Sequence, residues 1–328
     1  MRAVARPRDF LEAVRGAKRE ARAAFGDDSV FLEKFIERPR HVEVQIIGDN
    51  HENVIHLYER ECSIQRRHQK VIEESPSPAL EPELRESMCA AAVRLAREAG
   101  YRNAGTVEFL LDGENFYFLE VNARLQVEHP VTEMVTGLDL VQLQLAVAAG
   151  ELLPMSQEDV ALSGSSIEAR VYAEGEGGLP AGGRLLLFSP PEGPGIRNDV
   201  GVESGDEVSV HYDPMISKLV VFAPNREMAV RRLGRALEDY TILGVPTNLP
   251  LLRRIAEHPA FAAGETTTDF LEKYRLAEPP VEIPVPTEAI LLAAAGELIS
   301  GRATAEPFVA SPWRLLGSVR LRYRTGDS

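Results

Sequence analysis

Residues 120–128 read Glu-Val-Asn-Ala-Arg-Leu-Gln-Val-Glu. In an extended chain successive side chains point to opposite faces. Glu120, Asn122, Arg124, Gln126 and Glu128 would therefore share one face, while Val121, Ala123, Leu125 and Val127 back it into a core. At about 3.3 Å per residue, Arg124, Gln126 and Glu128 would lie about 13 to 26 Å from Glu120. A solvated strand face is the alternative reading of such alternation. The preceding segment bears on the choice. Ala104 to Leu111 and Phe116 to Asn122 flank the turn Asp112-Gly113-Glu114-Asn115 and form a hairpin. If Asp112 pairs with Phe116 around a three-residue loop, the register sets Glu108 opposite Glu120. Two adjacent carboxylates repel unless a cation or a proton sits between them. A two-residue loop would shift the register by one and remove the pairing. Glu108, Glu120 and Asn122 offer only oxygen ligands, which suits a hard cation, Mg²⁺ or Mn²⁺, better than zinc.

Outward from the hairpin, the pattern mixes helices with antiparallel strands. Pro7 and the spacing of Phe10, Leu11, Val14 and Ala17 predict a helix over 7–25. Val30 to Ile36 is apolar and partly β-branched, His41 to Ile47 alternates, and Asn53 to Tyr58 resumes after the turn at 48–50, so three strands are expected. The polar stretch Glu59 to Ser77 has no apolar period and reads as a loop crossing the sheet. Pro82 to Gly100 carries start and stop signals of a helix, expected to cover one face of the sheet. A further helix is expected over 139–149. From Ser166 short β segments appear (167–173, 184–188, 207–210), then helices over 225–238 and 247–257. Glu278 to Pro286 is Pro-rich and reads as a linker, followed by a helix over 287–302 and a strand over 314–323. Residues 1–155 thus read as α+β.

The 328 residues suggest about two domains. With 36 Lys and Arg against 50 Asp and Glu, the net charge of −14 argues against nucleic acid or an anionic membrane surface as a main partner. An anionic substrate would need a metal ion or clustered arginines. No apolar run reaches the roughly 18 residues of a membrane span. The two cysteines, Cys62 and Cys89, form neither a disulfide framework nor zinc-ligand spacing, and no secretion signal precedes them, so a cytoplasmic location is expected.

Longer motifs carry a resemblance. Glu-Phe at 108–109, Glu-Val-Asn-Ala-Arg-Leu-Gln-Val-Glu-His-Pro-Val-Thr-Glu at 120–133, Pro-Arg-His-Val-Glu-Val-Gln at 39–45 and Arg-Glu-Cys-Ser-Ile-Gln-Arg-Arg-His-Gln-Lys at 60–70 resemble the biotin carboxylase branch of the ATP-grasp family. The resemblance extends over about residues 1–275. It implies an α+β fold: the C-terminal part of an ATP-grasp domain over 1–155, an antiparallel sheet with helices, then a biotin carboxylase C-terminal domain over 156–277. Beyond the linker at 278–286, Ser311-Pro-Trp-Arg314 is similar to the start of the middle domain, here 287–328, of biotin-bearing acyl-CoA carboxylase subunits of the methylcrotonyl, geranyl, propionyl or acetyl type.

Carried over by position, the resemblance implies ATP contacts at Glu33, Lys34, Ile36, His41, Gln65, His68, Lys70, Glu108 and Glu120, with Mg²⁺ or Mn²⁺ on Glu108, Glu120 and Asn122. It implies that Arg124, Gln126, Val127 and Glu128 hold bicarbonate, with Glu128 as general base. Arg170 would stabilise the enolate-like oxygen of the biotin ureido ring. Implied partners are a biotinyl domain, a carboxyltransferase subunit and a second copy in a homodimer. The family's upstream domain, its nucleotide-contacting lysines and its glycine-rich loop have no counterpart here, nor does the biotinyl domain, so the sequence is expected to be an internal fragment or a truncated gene product. Gly175 to Gly183 is shorter and richer in glycine than the family segment. Two other readings stand beside the enzyme: a non-catalytic interaction module, and another ATP-grasp ligase, told apart by ammonia rather than biotin stimulating ATP use.

Overall fold

The computed structural model describes residues 2–67 and 69–277, together with positions 288, 291, 292 and 295. Those last four are helical. The expected linker and middle-domain strand lie outside the described residues. Met1 to Glu278 and Pro279 to Ser328 are separate compact units.

In the first unit, strands β1 (Arg40–Gly48), β2 (Val54–Arg66), β3 (Gln69–Ser75), β4 (Asn103–Asp112), β5 (Asn115–Asn122) and β6 (Ser165–Tyr172) form most of one sheet. Two short pairs follow from β7 (Gly183–Arg184), β8 (Leu187–Ser189), β10 (Glu207–Val208) and β12 (Thr241–Leu243), while β9 (Ile196–Val200) and β11 (Met215–Ala223) complete the large sheet. Its order is β5-β4-β1-β2-β3-β6-β11-β9, with every pairing antiparallel. One continuous sheet thus joins residues 40–122 to residues 165–223. The helices are α1 (Phe10–Phe25), α2 (Pro82–Glu98), α3 (His129–Thr136), α4 (Leu140–Ala148), α5 (Arg226–Asp239), α6 (Leu249–Ala256), α7 (Pro259–Ala262) and α8 (Phe270–Lys273).

Alternation along β1 explains the layering. Val42, Val44 and Ile46 pack against Met88, Cys89, Ala92 and Ala96 of α2, as the helical spacing of 82–100 predicts. Burying each of the larger of these apolar side chains is worth about 1.5–3 kcal/mol. α2 starts with Pro82 in its first turn, and the chain turns out of it at Gly100, whose φ of +58° favours glycine. A second cluster joins β3, β6 and β11 to α5 and α6. α4 covers the other side of the sheet through Leu140, Leu143 and Val147, which meet Ile47, Ile55 and Leu57. Among the described residues no single helix is long and apolar enough to cross a membrane; a bent pair, α3 with α4, passes on length and composition, and Leu140, Leu143 and Val147 of α4 face this core.

Three expectations need correction. Glu59 to Ser77 is not a loop: β2 runs on to Arg66 and β3 follows. Its charged residues hide the strand because they point inward in pairs, Arg60 with Glu43, Arg85 with Glu59 and Arg226 with Glu74. Val30 to Ile36 is not a strand. β-propensity reflects packing on neighbouring strands, and among the described residues nothing pairs with this run, whose Phe31, Leu32 and Phe35 are exposed. Finally, 120–128 is not extended throughout, since β5 ends at Asn122 and the chain turns before α3.

Candidate active site

The carboxylate pair of the hairpin forms by a route the sequence did not suggest. Asp112 pairs with Asn115 around a two-residue turn, the spacing that should have separated the carboxylates. A bulge between Glu108 and Phe109 adds the missing step, so Glu108 does face Glu120. Asn122 Nδ2 donates to Glu108 Oε1 at 2.9 Å and to Glu120 Oε1 at 3.4 Å. Arg124 Nη2 donates to Asn122 Oδ1 at 3.2 Å. β5 is the open edge of the sheet, and Glu120 and Arg124 are exposed there beside Val121 and Ala123. The expected division of this stretch is therefore reversed: Gln126 and Glu128 are buried, while Val121 and Ala123 face solvent.

The turn at 123–128 brings Gln126 back against the sheet. Gln126 Nε2 donates to Glu108 Oε1 at 2.9 Å, far closer than an extended chain allows. Glu128, 2% exposed, precedes the first turn of α3, whose dipole favours a negative charge there. Its two oxygens are taken by two cations: Oε1 accepts from Lys70 Nζ at 2.5 Å, and Oε2 accepts from Arg170 Nη2 at 2.9 Å. Lys70 also reaches Glu43 Oε2 at 2.6 Å and Glu108 Oε1 at 3.1 Å. Arg170 Nε donates to Glu73 Oε1 at 2.5 Å. Behind this layer Arg60, wholly buried, donates to Glu43 Oε1 (2.7 Å), Gln45 Oε1 (2.7 Å), Thr132 Oγ1 (3.0 Å), Thr106 Oγ1 (3.2 Å) and Gln126 Oε1 (3.2 Å). Lys218 Nζ donates to the Val127 carbonyl at 3.0 Å and lies 3.2 Å from Asp199.

Burial raises a carboxyl's pKa and lowers an amine's, and here the pairing overrides it. Against burial, Lys70 and Arg60 hold Glu43 at about 2. Burial would also raise Glu108, but His41 and Lys70 hold it below the ordinary carboxylate range. Burial would lower Lys70, yet Glu43, Glu128 and Glu108 raise it above the ordinary lysine range. The centre is thus a fixed array of full charges.

A cleft of about 2390 Å³ opens over it. Glu33, Lys34, Ile36, His41, Gln65, Lys70, Glu108 and Glu120 line this cleft, as do Asn122, Arg124, Gln126, Val127, Glu128 and Arg170. The structure therefore brings together all the expected site residues except His68, which lies outside the described residues. Their settings differ. Lys34 Nζ donates to Tyr117 Oη at 2.5 Å and sits 4.4 Å from the centre of that ring, on the open side. His41 Nδ1 accepts from Gln65 Nε2 at 2.7 Å, which leaves its proton on Nε2, 2.9 Å from Glu108 Oε2. His41, Glu43 and Glu108 also stand close enough to hold a metal, as do Glu43, Cys62 and Glu128. In both groups the Lys70 ammonium already lies on the carboxylates. Sequence reading missed Arg60, Glu73 and Lys218 in the site, and gave Glu43 no role; the alternation of Glu59, Glu61 and Ser63 against Arg60 and Cys62 was the available signal.

Two family models match the chain. Residues 1–156 match "Carbamoyl-phosphate synthase L chain, ATP binding domain", and residues 168–273 match "Biotin carboxylase C-terminal domain". The chain belongs to the biotin carboxylase family of ATP-grasp proteins. It is 47% identical over 312 residues to the mitochondrial methylcrotonoyl-CoA carboxylase subunit alpha of Rattus norvegicus, matching 94% of this chain and 44% of that protein. The chain thus spans less than half the length of that relative. The bicarbonate-bound biotin carboxylase domain of a thermophilic 2-oxoglutarate carboxylase matches with a TM-score of 0.81 and 46% identity, over 84% of this chain and 63% of that one. The dimer of that domain from Hydrogenobacter thermophilus, in complex with MgADP, ADP and bicarbonate, matches with a TM-score of 0.78 and 46% identity, over 84% and 61%.

Proposed function

We propose that this chain carries the bicarbonate site and part of the nucleotide site of a biotin carboxylase, which carboxylates biotin at the expense of ATP. The observation that carries the reading is Glu128 held between Lys70 and Arg170 on the wall of a cleft that also contains Glu108, Glu120 and Asn122. Bicarbonate, bounded by Arg124, Gln126 and Val127, loses its proton to the Glu128 carboxylate as its oxygen attacks the γ-phosphorus of ATP and ADP leaves. The resulting carboxyphosphate breaks down to CO₂ and phosphate. The biotin ureido nitrogen gives up its proton to the phosphate just released and attacks CO₂, and Arg170 offsets the charge that develops on the ureido oxygen. Glu33, Lys34, Ile36, His41, Gln65 and His68 are assigned to the nucleotide, with Lys70 on its anionic oxygens. Glu108, Glu120 and Asn122 fit a hard divalent cation by donor type, because each offers oxygen; the Asn122 amide N–H now occupies the gap between the two carboxylates, and turning that amide over would bring its Oδ1 there instead. Such an ion, when bound, supplies charge neutralisation on the phosphates.

Residues 1–155 and 156–277 are assigned as the two parts of this enzyme, and 287–328 as the start of a middle domain. The rat relative's name supports a methylcrotonyl-type carboxylase as the setting, with a biotinyl domain, a carboxyltransferase subunit and a second copy as partners. Cys62 and Cys89, both free and buried, support a reducing compartment, cytoplasmic or mitochondrial.

The test is phosphate release from Mg-ATP with and without bicarbonate and biotin. Glu128→Gln is expected to cut the bicarbonate-dependent rate by about 10²–10⁴-fold. Release that ignores bicarbonate, or survives the substitution, refutes the assignment. A binding module without turnover is the second reading, favoured by the open β5 edge with exposed Phe118, Leu119 and Val121. It predicts no phosphate release but intact partner binding in Glu128→Gln.

A further inference from the structure

Arg170 meets Glu128 through Nη2, and its Nε is anchored from behind by Glu73. Glu73 in turn sits directly across the β3–β6 ladder from Glu168. Both carboxyl groups are fully buried. Cross-strand neighbours have their Cβ atoms about 4.5–5.5 Å apart, within reach for two glutamates to meet end to end. Glu73 Oε2 and both oxygens of Glu168 have no hydrogen-bond donor among the described residues. Two buried carboxylates on adjacent strands, three of whose four oxygens lack a donor, are strongly unfavourable if both are ionised. One proton between them removes the repulsion and satisfies two of the three orphaned oxygens, Glu73 Oε2 and one oxygen of Glu168.

We propose that Glu168 retains a proton and donates it to Glu73 Oε2, so that the pair carries a single negative charge, presented through Glu73 Oε1 to fix Arg170 against Glu128. Glu73 is thus a positioning residue for Arg170, and Glu168 sets its charge. The inference rests on the proposed function only for its consequence, the aim of Arg170 into the cleft. The groups facing the pair are Cys62 on β2, Lys70 on β3, Arg170 and Tyr172 on β6, Lys218 on β11, and Glu128 where α3 packs over these strands. Burial raises Glu73 to about 7 in spite of Arg170, and burial with the neighbouring Glu73 raises Glu168 well above the ordinary carboxyl range.

The test needs no turnover. Infrared difference spectra of the full chain against Glu168→Gln are taken at about pH 8, roughly four units above the ordinary carboxyl range. The wild type is expected to show the carbonyl stretch of a protonated carboxylic acid, and the variant to lose it. A difference spectrum containing only carboxylate bands overturns the proposal. In a second measurement, the Arg170 Nε–H resonance, assigned by its disappearance in Arg170→Lys, is expected to persist in Glu168→Gln and to lose its shift and exchange protection in Glu73→Gln. An unchanged resonance in Glu73→Gln overturns the positioning role. Should Glu73→Gln fail to fold, the infrared result on Glu168→Gln, an exchange of one neutral group for another, decides. Failure of these measurements leaves the bicarbonate-dependent assay untouched, and failure of that assay leaves them standing.

Discussion

The two halves of the cleft are built from the same residue types with opposite results. At the centre of the sheet, Glu43, Arg60, Lys70, Glu108 and Glu128 are buried or nearly so, and their cations reach several acceptors each. At the β5 edge, Glu120 and Arg124 are exposed, and their contacts run through Asn122 at 3.2 and 3.4 Å. The difference lies in what surrounds them. α3 and α4 close over the central strands, whereas β5 is the last strand of the sheet. A charge in the centre has been desolvated and depends on its partner, while a charge at the edge keeps water as an alternative. Preorganised electrostatics therefore reside in the centre, and adaptable ligand-binding groups reside at the edge.

Removing the keystone of the centre should have the largest effect. Arg60→Ala leaves Glu43 without one of its two cations and strips donors from Gln45, Thr106, Gln126 and Thr132, so a loss of about 3–5 kcal/mol is expected, read from urea denaturation midpoints. Arg124→Ala, an arginine deletion at the edge, should stay within about 0.5 kcal/mol. Equal losses would erase the contrast between the two halves.

The pH dependence separates the same regions. Glu43 is held at about 2, below its unfolded value, so its contribution is present above the ordinary carboxyl range and fades as the pH falls towards 2. Glu73 is raised to about 7, so its contribution is full at acid pH and is lost as the pH rises through about 7. Between about pH 5 and 8 the wild type should therefore lose on the order of 2 kcal/mol relative to Glu168→Gln, which lacks the second ionisable carboxyl of the pair; the opposite trend from His56, lowered to about 4 by burial, is common to both proteins and cancels. Thermal unfolding series of the two proteins that run parallel across this range would place the buried protons elsewhere.

How legible the molecule was follows the same division. Apolar helical spacing gave α2 and α4 nearly to the residue, because those faces meet an ordinary core, and it gave α1 as well, although Gly16 is the one buried residue of that helix. The strands that carry the centre were hidden. Arg60, Glu61, Lys70, Glu73 and Glu74 read as solvated polarity, since nothing in a sequence says that each charge meets its opposite on another strand or helix. The pairing of Glu108 with Glu120 was reached through the wrong loop length, because a bulge at Leu119 leaves no mark that a period-two pattern can detect. Glu73 was invisible for a further reason, since it lies outside the alternating stretches; Glu168 does alternate with Arg170 at 167–171, but nothing there says that the residue across the ladder is another carboxylate.

The smallest effect on stability, and the most specific one on binding, belongs to Glu120. Its carboxylate is exposed and stands across the ladder from Glu108, so Glu120→Gln removes a like-charge contact and costs no buried partner. Stability should change by less than about 0.5 kcal/mol, in the stabilising direction if at all. Binding of Mn²⁺ with nucleotide, measured by titration calorimetry or by the ion's paramagnetic signal, should weaken, since one of three oxygen donors has lost its charge. Glu108→Gln should differ in both respects. It leaves Lys70 and His41 facing an uncharged amide in a buried site, which costs stability as well as metal affinity. If Glu120→Gln destabilises the fold as much as Glu108→Gln does, the edge is as rigidly built as the centre, and its residues are not free to close on a ligand.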